Sequence, residues 1–307
     1  MLTYLALLFA YKTLSWLPTS VAYFIADGMG NTVYCLSRRL RKSVQANMRQ
    51  VMGPDASAKE IRRAARHSVR NAARYYADLV RNPRLNVERF FNERVNVVSG
   101  LDDLREAIAT NRGVIVATAH YANPEAVLQA AAYAGIETYT LTEQLKPQRL
   151  FDLVHKLRSS HGQTFRPLSL SALREAMRCL RKGKVVPLPC DRDVTNTGML
   201  MPFFGADTRL PVGAAELALR TGAIVVPIFC RRAKGNRFDL FGEPPMEMIV
   251  TGDHEEDLRT NTLRITAAVE RCIRGDPGQW LVMEPVWDPK KTQDRHSLVR
   301  QSENPGV

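Results

Sequence analysis

One stretch limits the fold of this chain more than any other: Gly113-Val-Ile-Val-Ala-Thr-Ala119, a continuous apolar run that ends on His120. A strand without polar alternation is covered on both faces, which implies a central strand of a mostly parallel sheet with helices above and below. Directly after it, Asn123-Pro124-Glu125 carries a helix start: a capping side chain, proline at the first helical position and an acid in the first turn. Strand, turn and helix follow in quick succession, as in the repeating unit of α/β folds.

Further strands are expected at 138–142, 184–188, 224–229 and 237–241, with helices at 149–159, 171–181, 212–220 and 255–274. Residues 1 to about 110 read as helical throughout. The expected fold class is α/β, a mostly parallel central sheet flanked by helices, with an N-terminal helical, membrane-associating cap. The 307 residues divide into a basic cap over 1–110, an α/β catalytic body over 111–287 and a polar tail over 288–307, integrated as one domain.

Charge concentrates in the cap. The chain has a formal net charge of +12, and between residues 38 and 84 thirteen Lys or Arg residues stand against three acids. Such a patch selects anionic partners. Arg62, Arg66 and Arg70 recur at four-residue steps and share one helix face. Ahead of them, 2–17 and 21–36 are apolar and aromatic-rich, yet each falls short of the roughly 20 residues a spanning helix needs. They read as helices lying in or on the membrane interface. The expected location is the cytoplasmic face of the membrane, peripheral or monotopic, with an anionic surface as partner. Nucleic-acid binding competes for the patch, but no recognition motif accompanies it, and basic residues beside interfacial helices favour lipid. No nucleic-acid partner is expected.

The five cysteines are odd in number, scattered and without a CxxC pair, which points away from disulfides and zinc and toward a reducing compartment. His155 and His161 are badly spaced for joint ligation, so no metal is assigned.

His120 ends the predicted central strand, where open α/β sheets build their sites. Glu125, one helical turn further on, is close enough in sequence to orient the imidazole. A His–acid pair can deprotonate a hydroxyl near neutral pH. No GxSxG elbow supplies a nucleophile, so a second substrate's hydroxyl would attack directly, in a group transfer without a covalent enzyme intermediate. A non-catalytic membrane scaffold would leave His120 unexplained.

Several blocks in order carry a resemblance: 41–53; His120-Tyr-Ala-Asn-Pro-Glu125 with its strand; Arg158-Ser-Ser-His-Gly162; Asp191-Arg-Asp-Val-Thr-Asn-Thr-Gly198 followed by Pro202-Phe-Phe-Gly205; and 213–218 with 222–227. Together they resemble the lipid A biosynthesis acyltransferase family. That family includes the mycobacterial phosphatidylinositol mannoside acyltransferases and shares the HX4D/E motif with glycerolphosphate acyltransferases. Family members often carry Asn-Trp before the acid, where this chain has Asn123-Pro124.

The resemblance implies a glycerolphosphate-acyltransferase-like fold and transfer of a fatty acyl group to a glycolipid hydroxyl. The acceptor would be a phosphatidylinositol mannoside or lipid A-type precursor. The donor would be acyl-CoA or acyl carrier protein, acting as co-substrate with no further cofactor. A lysophospholipid or glycerolphosphate acyltransferase is the alternative. His120 would be the general base, Glu125 its orienting partner and Asp191 a second acid pairing with the histidine, with Asp193 its competitor. Arg158, Arg192 and Arg209 would hold an anionic group of donor or acceptor. Asn123, Asp193, Phe203 and Phe204 fall among the substrate-contacting positions, with an acyl groove lined partly by 199–204. On burial tendency alone, the two phenylalanines also read as core plus turn.

Overall fold

The computed structural model describes residues 2–195 and 197–288, and the structural statements below concern those residues. Four helices come first: α1 (Leu2–Leu14), α2 (Thr19–Leu36), α3 (Arg38–Met52) and α4 (Ala58–Arg81). Next are α5 (Val87–Arg94), β1 (Val95–Val97), α6 (Leu101–Ala109), β2 (Val114–Thr118), α7 (Pro124–Tyr133) and β3 (Tyr139–Thr142). After these come α8 (Gln148–Arg158), β4 (Thr164–Pro167), α9 (Leu170–Arg181), β5 (Val185–Pro189) and the strands β6 (Met199–Phe203) and β7 (Ala206–Leu210). The last elements are α10 (Gly213–Thr221), β8 (Ile224–Arg232), β9 (Phe238–Gly242) and α11 (His254–Gly275). Most of the expected polar tail, from 289 onward, lies outside the described residues.

The central sheet has the order β1-β9-β8-β2-β5. All its pairings are parallel except β8 with β9. Every residue of β2 is buried, as the unbroken apolar run requires. Its side chains alternate between two cores: Ile115 and Ala117 join the core that includes α3, α4, α10 and α11, while Val114 and Val116 join that of α5, α6 and α7. Gly113 starts the strand at φ +81, where a Cβ would sit 2.2 Å from the Leu180 carbonyl oxygen. Only glycine fits there.

The expectation of helix throughout 1–110 fails at β1, which pairs with β9 through Val95↔Phe238. Three half-exposed residues leave no periodic pattern to read, and tertiary pairing decides them. Strand β4, paired with β3, and the β6–β7 hairpin were likewise not anticipated.

Polar side chains fasten the front helices to the body. Ser57 and Glu60 form a capping box that starts α4. Near the other end of α4, Asp78 accepts from Tyr23 Oη of α2 (2.6 Å), Asn123 Nδ2 (3.0 Å) and Arg232 Nη2 of β8 (2.5 Å). Asn47 of α3 bonds the backbone at Val282, Glu284 and Val286, and Asn71 of α4 donates to the Gly278 carbonyl. The C-terminal segment is therefore clamped under α3 and α4. On the outer side, Leu5, Phe9 and Trp16 and then Val21, Phe24, Met29, Val33 and Leu36 expose a broad apolar face.

Candidate active site

Beyond β2 the chain turns sharply, with buried Ala122 at φ +52. Asn123 then caps α7 by accepting from the Glu125 amide, and Pro124 occupies the first helical position. The segment after α11 fixes this turn: Ala122 N donates to the Gln279 carbonyl, and Leu281 N donates to the His120 carbonyl, both at 2.8 Å.

The parallel register of β2 and β5 places Val114 beside Val185 and Thr118 beside Pro189, and the Cys190 amide continues it by donating to the Thr118 carbonyl. Two residues further along each chain come His120 and Asp191. Asp191 Oδ1 lies 2.9 Å from His120 Nδ1. The His120 amide reaches both carboxylate oxygens at 3.1 Å, and Trp280 Nε1 donates to Oδ2 at 2.8 Å. The carboxylate is fully buried, while the imidazole is 35% exposed. Burial alone raises the Asp191 pKa, but the adjacent imidazole and the hydrogen bonds from His120 and Trp280 outweigh it and hold the carboxyl below its ordinary value.

His120 borders a cavity of about 320 Å³, whose walls include Leu79, Leu128, Leu141, Val154, Phe165 and Met283. That is within the range of ligand pockets. No hydrogen-bond partner for Nε2 occurs among the described residues, so this nitrogen remains available for a substrate proton.

Glu125 does not orient His120. Its carboxylate accepts from Arg158 Nε at 2.7 Å and from Tyr75 Oη at 3.1 Å, and Arg158 Nη2 donates to Tyr75 Oη at 2.6 Å. The cap fixes Glu125 in the first turn of α7, where α4 and α8 supply stronger donors than a neutral imidazole. Burial opposes the charge on Arg158, but Tyr75 and Glu125 more than compensate and raise its pKa. All three residues line the cavity.

The remaining expected residues divide. Arg192 lines the cavity, paired with Glu143 at 3.1 Å and with Glu284. Asp193 instead shapes its own loop, accepting from the Thr195 amide and hydroxyl and from the Gly198 amide. Arg209 donates to the Gly198 carbonyl and sits with Asp193 around a separate, small cavity. Asn123 caps α7 and bonds Asp78, away from His120. Phe203 and Phe204 pack with Trp280 and Trp287 in the core, and 199–204 contributes nothing to the wall beside His120, so the expected acyl groove is not formed there. Both rings are buried.

On α4, Arg62 is exposed, but Arg66 donates to Asn31 and Arg70 is paired with Asp27. The basic row is therefore partly engaged by α2. Tyr75 and Trp280 were missed in the sequence; nothing near either residue marks it as part of a site. Among the described residues, no His/Cys/Asp/Glu cluster could hold a metal ion.

The bacterial lipid A biosynthesis acyltransferase family matches residues 1–288. A phosphatidylinositol mannoside acyltransferase of Mycobacterium tuberculosis (strain ATCC 25618 / H37Rv) is 30% identical over 268 residues, 84% of this chain and 81% of the relative. The phosphatidylinositol mannoside acyltransferase of Mycolicibacterium smegmatis is 26% identical, covering 84% and 83%. A lipid A biosynthesis palmitoleoyltransferase of Escherichia coli K12 is 23% identical, covering 87% and 86%.

Proposed function

The chain belongs to the bacterial lipid A biosynthesis acyltransferase family, and on that premise we propose that it moves a fatty acyl group from an acyl thioester to a hydroxyl of a membrane glycolipid. One observation carries the proposal: a buried carboxylate, Asp191, holds Nδ1 of an imidazole that borders a cavity. With its Nδ1–H hydrogen-bonded to Asp191, the neutral ring offers Nε2 as the base. The acceptor hydroxyl loses its proton to Nε2 as its oxygen attacks the thioester carbonyl. The tetrahedral intermediate then collapses, the C–S bond breaks, and the leaving thiolate takes the proton from Nε2. Asp191 stabilises the imidazolium between these steps without itself being protonated.

Glu125 takes a different part in this reading. It aligns Arg158 on the cavity wall, where a guanidinium can hold an anionic group of donor or acceptor. The favoured acceptor is a phosphatidylinositol mannoside, the molecule in the names of the mycobacterial relatives, and the donor is acyl-CoA or acyl carrier protein. The histidine at the end of a buried strand also supports a glycerolphosphate-acyltransferase-like architecture.

The exposed apolar faces of α1 and α2 support docking on the cytoplasmic leaflet, since soluble monomers rarely leave such faces bare. No described helix is long and apolar enough to cross a membrane. Incubating the protein with a labelled acyl thioester and mannoside acceptor tests the reading. His120→Ala should abolish transfer while leaving the fold and vesicle binding intact; retained turnover removes the mechanism.

A further inference from the structure

Away from His120, a second cavity of about 110 Å³ lies between the α1–α2 corner, the end of α4, α5 and α7. Three guanidiniums line it, those of Arg81, Arg84 and Arg94, and Asp78 is the one acid among the lining residues. Asp78 is also held by Arg232, Tyr23 and Asn123, so this one carboxylate is shared with a fourth guanidinium. Arg81 is fixed by the Leu14 and Leu17 carbonyls and the Thr19 hydroxyl, and Arg94 by the Asn236 carbonyl and Tyr23 Oη. Burial lowers the pKa of Arg81, the mark of a cation short of negative charge.

Arg84 differs from both. It is exposed, no hydrogen bond or ion pair engages it among the described residues, and its guanidinium carbon rests 3.2 Å from the ring centroid of Trp16. Trp16 is itself 73% exposed and continues the apolar face that begins with Leu5 and Phe9. Tryptophan beside such a face sits at headgroup depth, and a free guanidinium there suits a phosphate.

We propose that the Arg81–Arg84–Arg94 cavity binds the headgroup phosphate of an anionic membrane lipid, with Arg84 and Trp16 closing over it. The inference rests on the membrane-docking reading above and moves the lipid-recognising arginines from Arg62, Arg66 and Arg70 to the opposite end of α4. Open stacking at Trp16 allows Arg84 to swing onto a ligand, which Arg70, paired with Asp27, cannot do without breaking that pair. A headgroup source is favoured over the phosphates of a soluble donor because Arg84 stands against the apolar face.

Flotation of the full-length protein with phosphatidylcholine vesicles, with and without phosphatidylglycerol, tests the site. Arg84→Gln should weaken binding to the phosphatidylglycerol vesicles by about fivefold or more. Arg178→Gln, which removes an exposed charge from α9, should change it by less than about twofold, because a diffuse contribution at salt-screened range is small. Equal losses for the two variants would overturn the proposal in favour of delocalised charge. It is also overturned if Arg84→Gln loses affinity for coenzyme A alone while keeping vesicle binding. His120→Ala should float with these vesicles as the unaltered protein does, so failure of the reaction and failure of this site are read separately.

Discussion

At the carboxyl ends of β2 and β5, Asp191 meets three nitrogen donors, none of them from Lys or Arg: the His120 amide, the imidazole and the Trp280 indole. On the helical wall of the same site, Glu125 meets a guanidinium and a phenol. The charge on Glu125 is already compensated by Arg158. That on Asp191 finds its counter-ion only when the ring takes a proton, and this makes Asp191 the carboxylate able to stabilise an imidazolium as it forms. An acid five residues from a histidine need not be its partner, whereas an acid 71 residues away can be.

The largest expected effect separates the two acids kinetically. Asp191→Asn should lower kcat on the order of 10³–10⁴-fold, because the amide no longer enforces the productive tautomer. Glu125→Gln should cost roughly tenfold and mainly raise KM, since it loosens Arg158 rather than the base. Equal losses in kcat would break the comparison. Stability should rank the other way. Removing the charge in Arg158→Met strands Glu125 in a buried site and should cost about 3–5 kcal/mol, against about 1–3 kcal/mol for Asp191→Asn, both measured by urea unfolding.

Acid titration sharpens the same contrast. The Asp191 carboxyl is held below its ordinary value near 3.8, so its ionised form adds stability above that pH and loses it as pH falls through the lower, folded-state value. The gap in urea midpoint between the unaltered protein and Asp191→Asn should shrink as pH falls below about 4. A gap that persists in acid would contradict the assigned ionisation. The smallest effect on activity belongs to the aromatic core. Phe203→Leu leaves a cavity that should cost about 1–3 kcal/mol yet leave acyl-chain preference unchanged; a changed preference would return this residue to the substrate site.

The apolar run of β2, the helix start at Asn123-Pro124 and the alternation from residue 111 onward were legible because each depends on local pattern. The blocks around His120, Arg158 and Asp191 lie far apart in sequence, yet all three residues meet at or behind one cavity wall. Glu125 was expected to orient the ring, with Asp191 as a second acid; which carboxylate faces it depends on the β2–β5 register, and a single sequence does not fix how two distant strands align. Trp280 escaped for a similar reason: it reaches Asp191 only because Asn47, Ser68 and Asn71 clamp the backbone around it. Phe203 and Phe204 misled because a recurring motif can mark core packing as readily as ligand contact. The arginine row on α4 was correctly placed on one helix, but its partners, Asp27 and Asn31, come from α2.

If Asp191 alone fixes the tautomer of His120, the effect is visible without any substrate. Long-range ¹H–¹⁵N correlation spectra of the histidine side chains read which ring nitrogen carries the proton. In its neutral form His120 should be protonated at Nδ1 and bare at Nε2, with the Nδ1 signal altered in Asp191→Asn and kept in Glu125→Gln. A proton on Nε2, or a signal that responds to Glu125→Gln and ignores Asp191→Asn, would contradict the account.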